Sequence, residues 1–432
     1  MRLRDCINKV PALIDRAIEL NHRVVAITDH ETVSSYIAVE NYRDKIIKEH
    51  PDFKIILGNE IYLCRDGLNA ENYNKGIDRY FHFILLAKDE IGNKQIRKLS
   101  TRAWMRSYKQ FQTRVPTYYQ DLYDIIGPNP GHIIASTACL GGNLDTQLIR
   151  YRESNDINLY NHILDWLIKM NGLFGKDNFY LEMQPSYNKD QIYVNKEILK
   201  ISDKLNIPYI ITNDAHYLKK EDINIHSAYL NSQDGERETK EFYATTYLME
   251  DNEIKEYMSD YMTEEQFNKA YNSIIQIANM CSNYSIKKPL KIPNLNWKVP
   301  KYTFNEQLSK LIPNLQKFYN SPYAADKRLA ELISDRVSID KTLQNIETYE
   351  EIDACLNDTW ISSEVNGSRW SAYMLNLQNI VDSCWESNSL VGPGRGSGVG
   401  FILLYILDIT QINPLREKTK CFRWRSMALK AS

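Results

Sequence analysis

A chain of 432 residues has room for two or three domains with sizeable cores. Its 53 Lys plus Arg balance 55 Asp plus Glu, so overall charge points to neither nucleic acid nor a membrane surface, and any basic groove must be local. No apolar run has the length of a bilayer span, Met1 is followed by Arg-Leu-Arg-Asp instead of a signal-peptide core, and seven scattered cysteines include no Cys-x-x-Cys; together these predict a reducing, cytoplasmic setting without a disulfide framework.

In chain order, Val10, Leu13, Ile14, Ala17 and Ile18 recur at helical spacing, with Pro11 where a first turn tolerates it. The run Arg23–Thr28 has strand length and ends at Asp29-His30; a helix over about Thr32 to Glu49 follows. A second run, Phe53–Leu57, ends at Gly58-Asn-Glu60. The rhythm continues with Phe81–Ala87, a helix through Trp104, His132–Ser136, a helix around Tyr160 to Met170, Asn178–Met183, a helix to Leu205, and Pro208–Thr212. Strands that are apolar along their length and alternate with helices predict a parallel sheet covered on both faces, here an α/β barrel.

Polar residues punctuate this rhythm. Asp29 and His30 follow one strand, Glu60 another, Cys139 another, and Asp214 with His216 the last, while His82 lies near the start of its strand. In α/β barrels the strand ends and the loops after them share one site. Imidazole, carboxylate and thiolate together suit zinc or a similar divalent ion, and more than four such groups suit a multinuclear centre that generates hydroxide and clamps a phosphoryl group. Taken singly, each histidine reads equally as a hydrogen-bonded core residue and Cys139 as a small buried hydrophobe. Asp214 and His216 are more telling, because alternate residues of an extended chain share a face. His22, His50, His132, His162 and His226 show no such pattern.

Beyond Asp214 the character changes. A helix is expected from Thr263 to about Cys281, and Leu290–Pro300 reads as an extended linker, placing a domain boundary there. From Asn305 to Trp385 the pattern is helical with a loop at Ile361 to Arg369. Next comes Leu390–Gly400, Leu-Val-Gly-Pro-Gly-Arg-Gly-Ser-Gly-Val-Gly, where an apolar pair of strand character leads into a glycine loop and Phe401–Leu407 leaves it as a buried helix. Such a loop either turns the chain tightly or presents backbone N–H groups to a phosphate, with Arg395 and Ser397 adding a charge and a hydroxyl. The end, Arg416–Arg425, is basic and aromatic, which suits nucleic acid and suits a frayed terminus equally.

Seven segments in register give the chain a resemblance to the N-terminal part of the alpha subunit of bacterial DNA polymerase III, the C-family replicative polymerase. They are Ala26-Ile-Thr-Asp-His30, Gly58-Asn-Glu-Ile-Tyr62, His82–Lys88, Ala138-Cys-Leu-Gly141, Phe179-Tyr-Leu-Glu-Met-Gln184, Thr212-Asn-Asp-Ala-His-Tyr217, and Val391-Gly-Pro-Gly-Arg-Gly-Ser397 with Ile409–Leu415. The resemblance implies a polymerase and histidinol phosphatase (PHP) domain, a distorted α/β barrel, over residues 1–288. A linker over 289–300 would follow, and then a mostly helical segment and the incomplete palm of a nucleotidyltransferase-type polymerase over 301–432. It implies metal ligands at His30, Glu60, His82, Cys139, Asp214 and His216, holding zinc or manganese, and triphosphate binding at Arg395, Gly396 and Ser397.

Two departures shape the functional expectation. The family's opening His-x-His strand and nearby aspartate would stand just before this sequence, so six of the usual ligands remain and the trinuclear set is incomplete. The family's Asp-x-Asp motif, which holds two catalytic magnesium ions, would follow Pro414-Leu415, where Arg425–Ser432 contains no aspartate. The expected function is therefore part of a DNA-directed DNA polymerase, inactive alone in polymerisation. DNA primer-template and deoxynucleoside triphosphates would be the substrates. A C-terminal polymerase half, a proofreading exonuclease or other replisome subunits would be the partners, with no membrane. The alternatives are a metal-dependent phosphoesterase or 3′→5′ exonuclease run by the barrel, and a non-catalytic scaffold.

Overall fold

A computed structural model describes residues 6–69, 71–74, 78–107, 114–232, 241–288, 291–293, 295, 297 and 305–416. The chain divides into two compact units, Met1–Lys287 and Lys288–Ser432.

The first unit is built on a seven-stranded sheet: β1 (Val24–Ile27), β2 (Lys54–Cys64), β3 (Phe81–Ala87), β4 (Thr117–Tyr118), β5 (Ile133–Ser136), β6 (Phe179–Met183) and β7 (Tyr209–Ile211). Its order is β1-β2-β3-β5-β6-β7, with the short β4 alongside β2. β2, β5, β6 and β7 are buried almost throughout because helices cover them, as their continuous apolar character requires. Phe83 of β3 packs 5.8 Å from Phe174 and 6.3 Å from Phe179, joining β3, β6 and the helix Ile157–Phe174 in one core. The outer helices begin where local chemistry starts them. Pro11 occupies the first turn of Val10–Glu19; Asp89 caps Glu90–Met105 by accepting from Gly92 N at 2.9 Å, and Asn188 caps Lys189–Leu205.

The mixed α/β barrel-like sheet agrees with the expected class, but the expectation of an all-parallel sheet fails. β3 runs antiparallel to both neighbours, β2 and β5, while β1–β2, β5–β6 and β6–β7 are parallel. The cause is the connection: a parallel neighbour needs a crossover, usually a helix, and the described residues between Cys64 and Phe81 hold none, so the chain turns back beside β2. β2 is also longer than its apolar run. It continues through Glu60 to Cys64, which puts Glu60 within a strand. Among the described residues the sheet has β1 and β7 as its edges, and both edges line a cleft of about 1530 Å³.

The second unit is helical: Glu306–Leu311, Pro313–Tyr319, Ala324–Ile339, Ile346–Asn366, Trp370–Glu386 and Ile402–Ile406. Its core gathers Leu315, Phe318, Leu329, Ile333, Leu356 and the fully buried Ile402 and Leu403. The loop expected at Ile361 to Arg369 is helix as far as Asn366. Gly367, at φ 62°, ends it in the left-handed conformation that glycine adopts without strain. No strand forms at Leu390-Val391; Leu390 is 95% exposed and so gains nothing from pairing there. Of the expected linker, Ile292 and Trp297 pack against Ala325, Ala372 and Leu375 of the helical unit. Within 289–300, residues 289–290, 294, 296 and 298–300 are outside the described residues, as is the stretch from 417 to 432.

Candidate metal centre

The site is assembled by backbone pairing before any side chain matters. His30 bridges Glu60 just beyond β1: Glu31 N donates to Glu60 O at 2.8 Å and Glu60 N to Asp29 O at 3.0 Å. Glu31 then turns the chain at φ 48°, and its buried carboxylate accepts from Tyr62 N at 2.6 Å and Thr117 Oγ1 at 2.8 Å. On β3, His82 N donates to Gly141 O at 3.0 Å, drawing the loop after β5 over the strand. That loop is close: a Cβ on Gly141 would stand 2.9 Å from His82 Nδ1. Ala138, beside Cys139, and Asp214, itself a candidate ligand, also have positive φ, 63° and 46°. Backbone in this region costs energy in non-glycine residues and gathers at functional sites.

These turns bring three side chains into one cluster. Ligand atoms of His30, Glu60 and His82 lie within 4.8 Å of one another. His82 Nδ1 is 2.8 Å from Glu60 Oε1, and His30 Nδ1 is 3.5 Å from Glu60 Oε2. Cys139 Sγ is 3.4 Å from His82 Nδ1. His216 Nδ1 lies 2.7 Å from Asp214 O and 3.8 Å from its Oδ1. Asp214 and His216 are thus joined to each other. Their link to the cluster is the shared cleft, which His30, Glu60, Cys139, Asp214 and His216 all line, and the charge they exert on Glu60, His82 and Cys139.

The electrostatics follow from burying mixed charge. Burial pushes the Glu60 carboxyl up, but His30 and His82 outweigh it and hold the group at about 2. Burial pulls His82 down, while Glu60 and Asp214 raise it to a net upward shift. The Cys139 thiol is driven well up by burial and by the charges of Asp214 and Glu60. A buried set of imidazole, carboxylate and thiol groups, their anions repelling one another, is a donor set that a divalent cation fits.

Sequence reasoning gave no role to Glu182, which lines the same cleft. Its fully buried carboxylate accepts from Ser136 Oγ on β5 and from Thr212 Oγ1, at 2.5 Å, after β7, while its N–H is bonded by Thr137 Oγ1 at 3.0 Å. Burial, with Asp214 and Glu60 nearby, raises it to about 7. The available signal was a lone acid inside the apolar run Phe179–Met183. His226, set aside with the other histidines, is fully buried with its ring 5.7 Å from that of His216.

In the helical unit, Arg395 is exposed and Gly396–Gly400 form a 3₁₀ turn. Gly394 and Gly396 have φ of 134° and 63°. A Cβ on Gly394 would meet Val399 Cγ1 at 2.4 Å, so the loop folds tightly on itself there. Arg395, Gly396 and Ser397 form one short surface segment.

Residues 1–186 match the PHP domain, and residues 361–426 match the bacterial DNA polymerase III alpha NTPase domain. The probable DNA polymerase YorL of Bacillus subtilis (strain 168) and the DNA-directed DNA polymerase of Bacillus phage SPbeta are each 34% identical over 452 residues, covering 96% of this chain and 34% of the relative. The DNA polymerase III subunit alpha of Borreliella burgdorferi is 28% identical over 417 residues, covering 96% of this chain and 32% of the relative. The chain thus spans about a third of the length of the curated relatives it matches. Among the described residues no helix is long and apolar enough to cross a membrane.

Proposed function

Because the chain joins a PHP domain to part of a bacterial DNA polymerase III alpha NTPase domain, and its relatives are DNA polymerases, we propose that it is the N-terminal portion of a cytoplasmic replicative DNA-directed DNA polymerase. The reaction of such an enzyme is attack of a primer 3′-hydroxyl on the α-phosphate of a deoxynucleoside triphosphate opposite a DNA template. Here the segment Arg395, Gly396 and Ser397 would receive the triphosphate. Residues 416–432 contain no aspartate, so they supply no Asp-x-Asp pair to hold magnesium. Primer extension by this chain alone is expected to be absent. A polypeptide carrying an Asp-x-Asp pair, and a proofreading exonuclease, are the partners this reading calls for.

The PHP domain is a metal-dependent family, and the single observation that carries the reading of this site is the convergence of His30, Glu60 and His82. Zinc or manganese would be held by these three, with Cys139, Asp214 and His216 as the further ligands. A divalent ion bound there would activate water and offset phosphoryl charge. The chain's own residues prepare the place for it. Glu60 stays ionised, His30 and His82 present Nδ1 towards it, and Cys139 must release a proton on binding, so metal affinity should increase with pH. Metal analysis after reconstitution tests this: wild type should retain zinc or manganese, while Glu60→Gln and His30→Ala should lose it. Wild type without metal would sink the reading.

A metal-dependent phosphoesterase or 3′→5′ exonuclease run by the barrel is the second reading, supported by the cleft that Glu60, Cys139, Asp214 and His216 line. Release of nucleotides from single-stranded DNA, abolished in a His30→Ala, Asp214→Ala double variant, would support it. A metal-loaded chain without turnover that co-purifies with an exonuclease would favour a scaffold instead.

A further inference from the structure

Tyr62 belongs to two neighbourhoods at once. Its ring stacks on that of His30, 5.3 Å away and inclined by 7°, and lies 5.5 Å from His82. The same ring meets Tyr80 edge-on at 6.2 Å, and Tyr80 in turn lies 5.9 Å from Tyr73. Exposure grades along this row: Tyr62 is 2% exposed, Tyr80 half-buried and Tyr73 38% exposed. A series of aromatic rings therefore leads from solvent to the His30–Glu60–His82 cluster. At its side the Arg114 guanidinium stands 5.5 Å from the Tyr62 ring centre, and Arg79 precedes Tyr80 in the chain; both arginines are exposed.

Among the described residues, carboxylates hold the neighbouring arginines and not these two. Arg65 is held by Asp78, Arg106 by Asp121, and Arg102 by Asp121 and Asp124. Asp66 is occupied in accepting from Gln120 N at 2.8 Å. Among the described residues no carboxylate pairs with Arg114 or Arg79. A cation beside a row of tyrosines, Arg114, with a second, Arg79, next to Tyr80 in the chain and neither held by a carboxylate among the described residues, suits a polyanion that also carries flat apolar rings. We infer that Tyr73, Tyr80, Arg79 and Arg114 form an approach track for single-stranded nucleic acid, bases stacking on the tyrosines and phosphates meeting the arginines. Single strands fit this chemistry because their bases are free to stack on side chains, whereas duplex bases are already stacked on one another. A free phosphate ion would engage the arginines and leave the tyrosines without a role.

The inference rests on the proposed phosphodiester-processing site only for what lies at the inner end of the track; strand binding itself needs no metal. The test uses the full chain and a fluorescein-labelled octathymidylate, followed by anisotropy at two salt concentrations. Arg114→Glu and Tyr80→Ala should each weaken binding by about tenfold, and Arg114→Glu should lower the salt slope by about one. The control Lys169→Glu, on the exposed face of the helix Ile157–Phe174, should leave binding unchanged. Arg114→Gln, a milder change, keeps the test interpretable if the charge reversal unfolds the chain. Photocrosslinking of a 5-iododeoxyuridine octamer should label the peptide carrying Tyr73 and Tyr80. Unaltered affinity in all three variants, or crosslinks confined to other peptides, would overturn the track. Metal content measured on the same samples separates the two ideas: strand binding that depends on Arg114 in a chain that takes up no metal keeps the track and removes the proposed site.

Discussion

Glu60 and Glu182 are buried at the same cleft, yet they are driven in opposite directions, and the pH dependence of stability follows from the difference. Glu60, held at about 2 with positive imidazoles beside it, contributes stability that is full above its unfolded value of 4.5 and is lost as pH falls towards 2. Glu182, raised to about 7, is the reverse case. Between 4.5 and 7 the folded chain holds its proton more tightly than the unfolded chain does, so stability declines as pH rises through that window. Above pH 7 the full penalty applies, about 3 kcal/mol for the metal-free protein. Glu31, raised by burial to about 8, extends the decline in the same direction. Glu182→Gln should therefore be more stable than wild type at pH 8 and should flatten the slope between pH 5 and 7, as read from melting curves of metal-free protein. An unchanged slope would mean that Glu182 is ionised in the fold. Gly141 supports a second expectation. Its missing Cβ leaves room for the His82 ring, so Gly141→Ala should lower metal affinity several-fold while the far-ultraviolet spectrum is retained. Titration with zinc against a chelator would measure it.

At the scale of elements, sequence pattern located strands better than it oriented them. β1, β5, β6 and β7 fall within the apolar runs that announced them, and His30, Cys139, Asp214 and His216 were legible because they follow those runs. The direction of β3 was not legible, since an apolar strand looks the same either way and only the missing crossover decides. Glu60 was legible as a candidate, but its place within β2 depends on pairing with β3, which periodicity along one strand does not contain. The row from Tyr73 to Tyr62 was invisible for a related reason: it is made by a loop folding back on the strand before it. In the helical unit, the helix Ile346–Asn366 outruns its expected end because Ser362 and Ser363 point inward and are buried, with Ser363 Oγ donating to Thr359 O at 2.7 Å. The two helices flanking it are joined by a buried ion pair. Asp326, fully buried, is held by Arg369 at 2.7 Å and accepts from Ser321 Oγ at 2.6 Å and from Ser371 Oγ. Arg369 also lies 4.4 Å from the Trp360 ring centre and 4.9 Å from that of Tyr323. Removing one partner strands the other charge in the interior, so Arg369→Met should cost about 3–5 kcal/mol of the helical unit's stability. Arg369→Met combined with Asp326→Asn should recover much of that loss in urea titrations. Equal destabilisation by the single and double variants would show that packing of the guanidinium against the rings dominates.

For the whole molecule, the question is whether the two units need each other to fold. Each has its own core: Phe83, Phe174, Phe179 and Leu181 in the first, Phe318, Leu329, Leu356 and Ile402 in the second. The proposed metal ligands all fall before Lys287, as do the groups that shape their charge, while Arg395, Gly396 and Ser397 fall after it. A chain of some 290 residues is also large enough to bury a stable core alone. We therefore expect a variant ending at Lys287 to be soluble and to melt cooperatively. It should take up as much zinc or manganese as the full chain does, if the metal reading holds. Its weakest region should be the open side of the sheet. Among the described residues β1 and β7 each have a ladder partner on one side only, so their amides should exchange with deuterium faster than those of β2 and β3, which lie inside the sheet. Hydrogen exchange on the full chain and on the shortened one reads both expectations in one experiment. Matching protection across residues 24–211 would establish the first unit as autonomous. Loss of protection throughout β2, β3 and β6 on shortening would show instead that the helical unit is required to hold the sheet together.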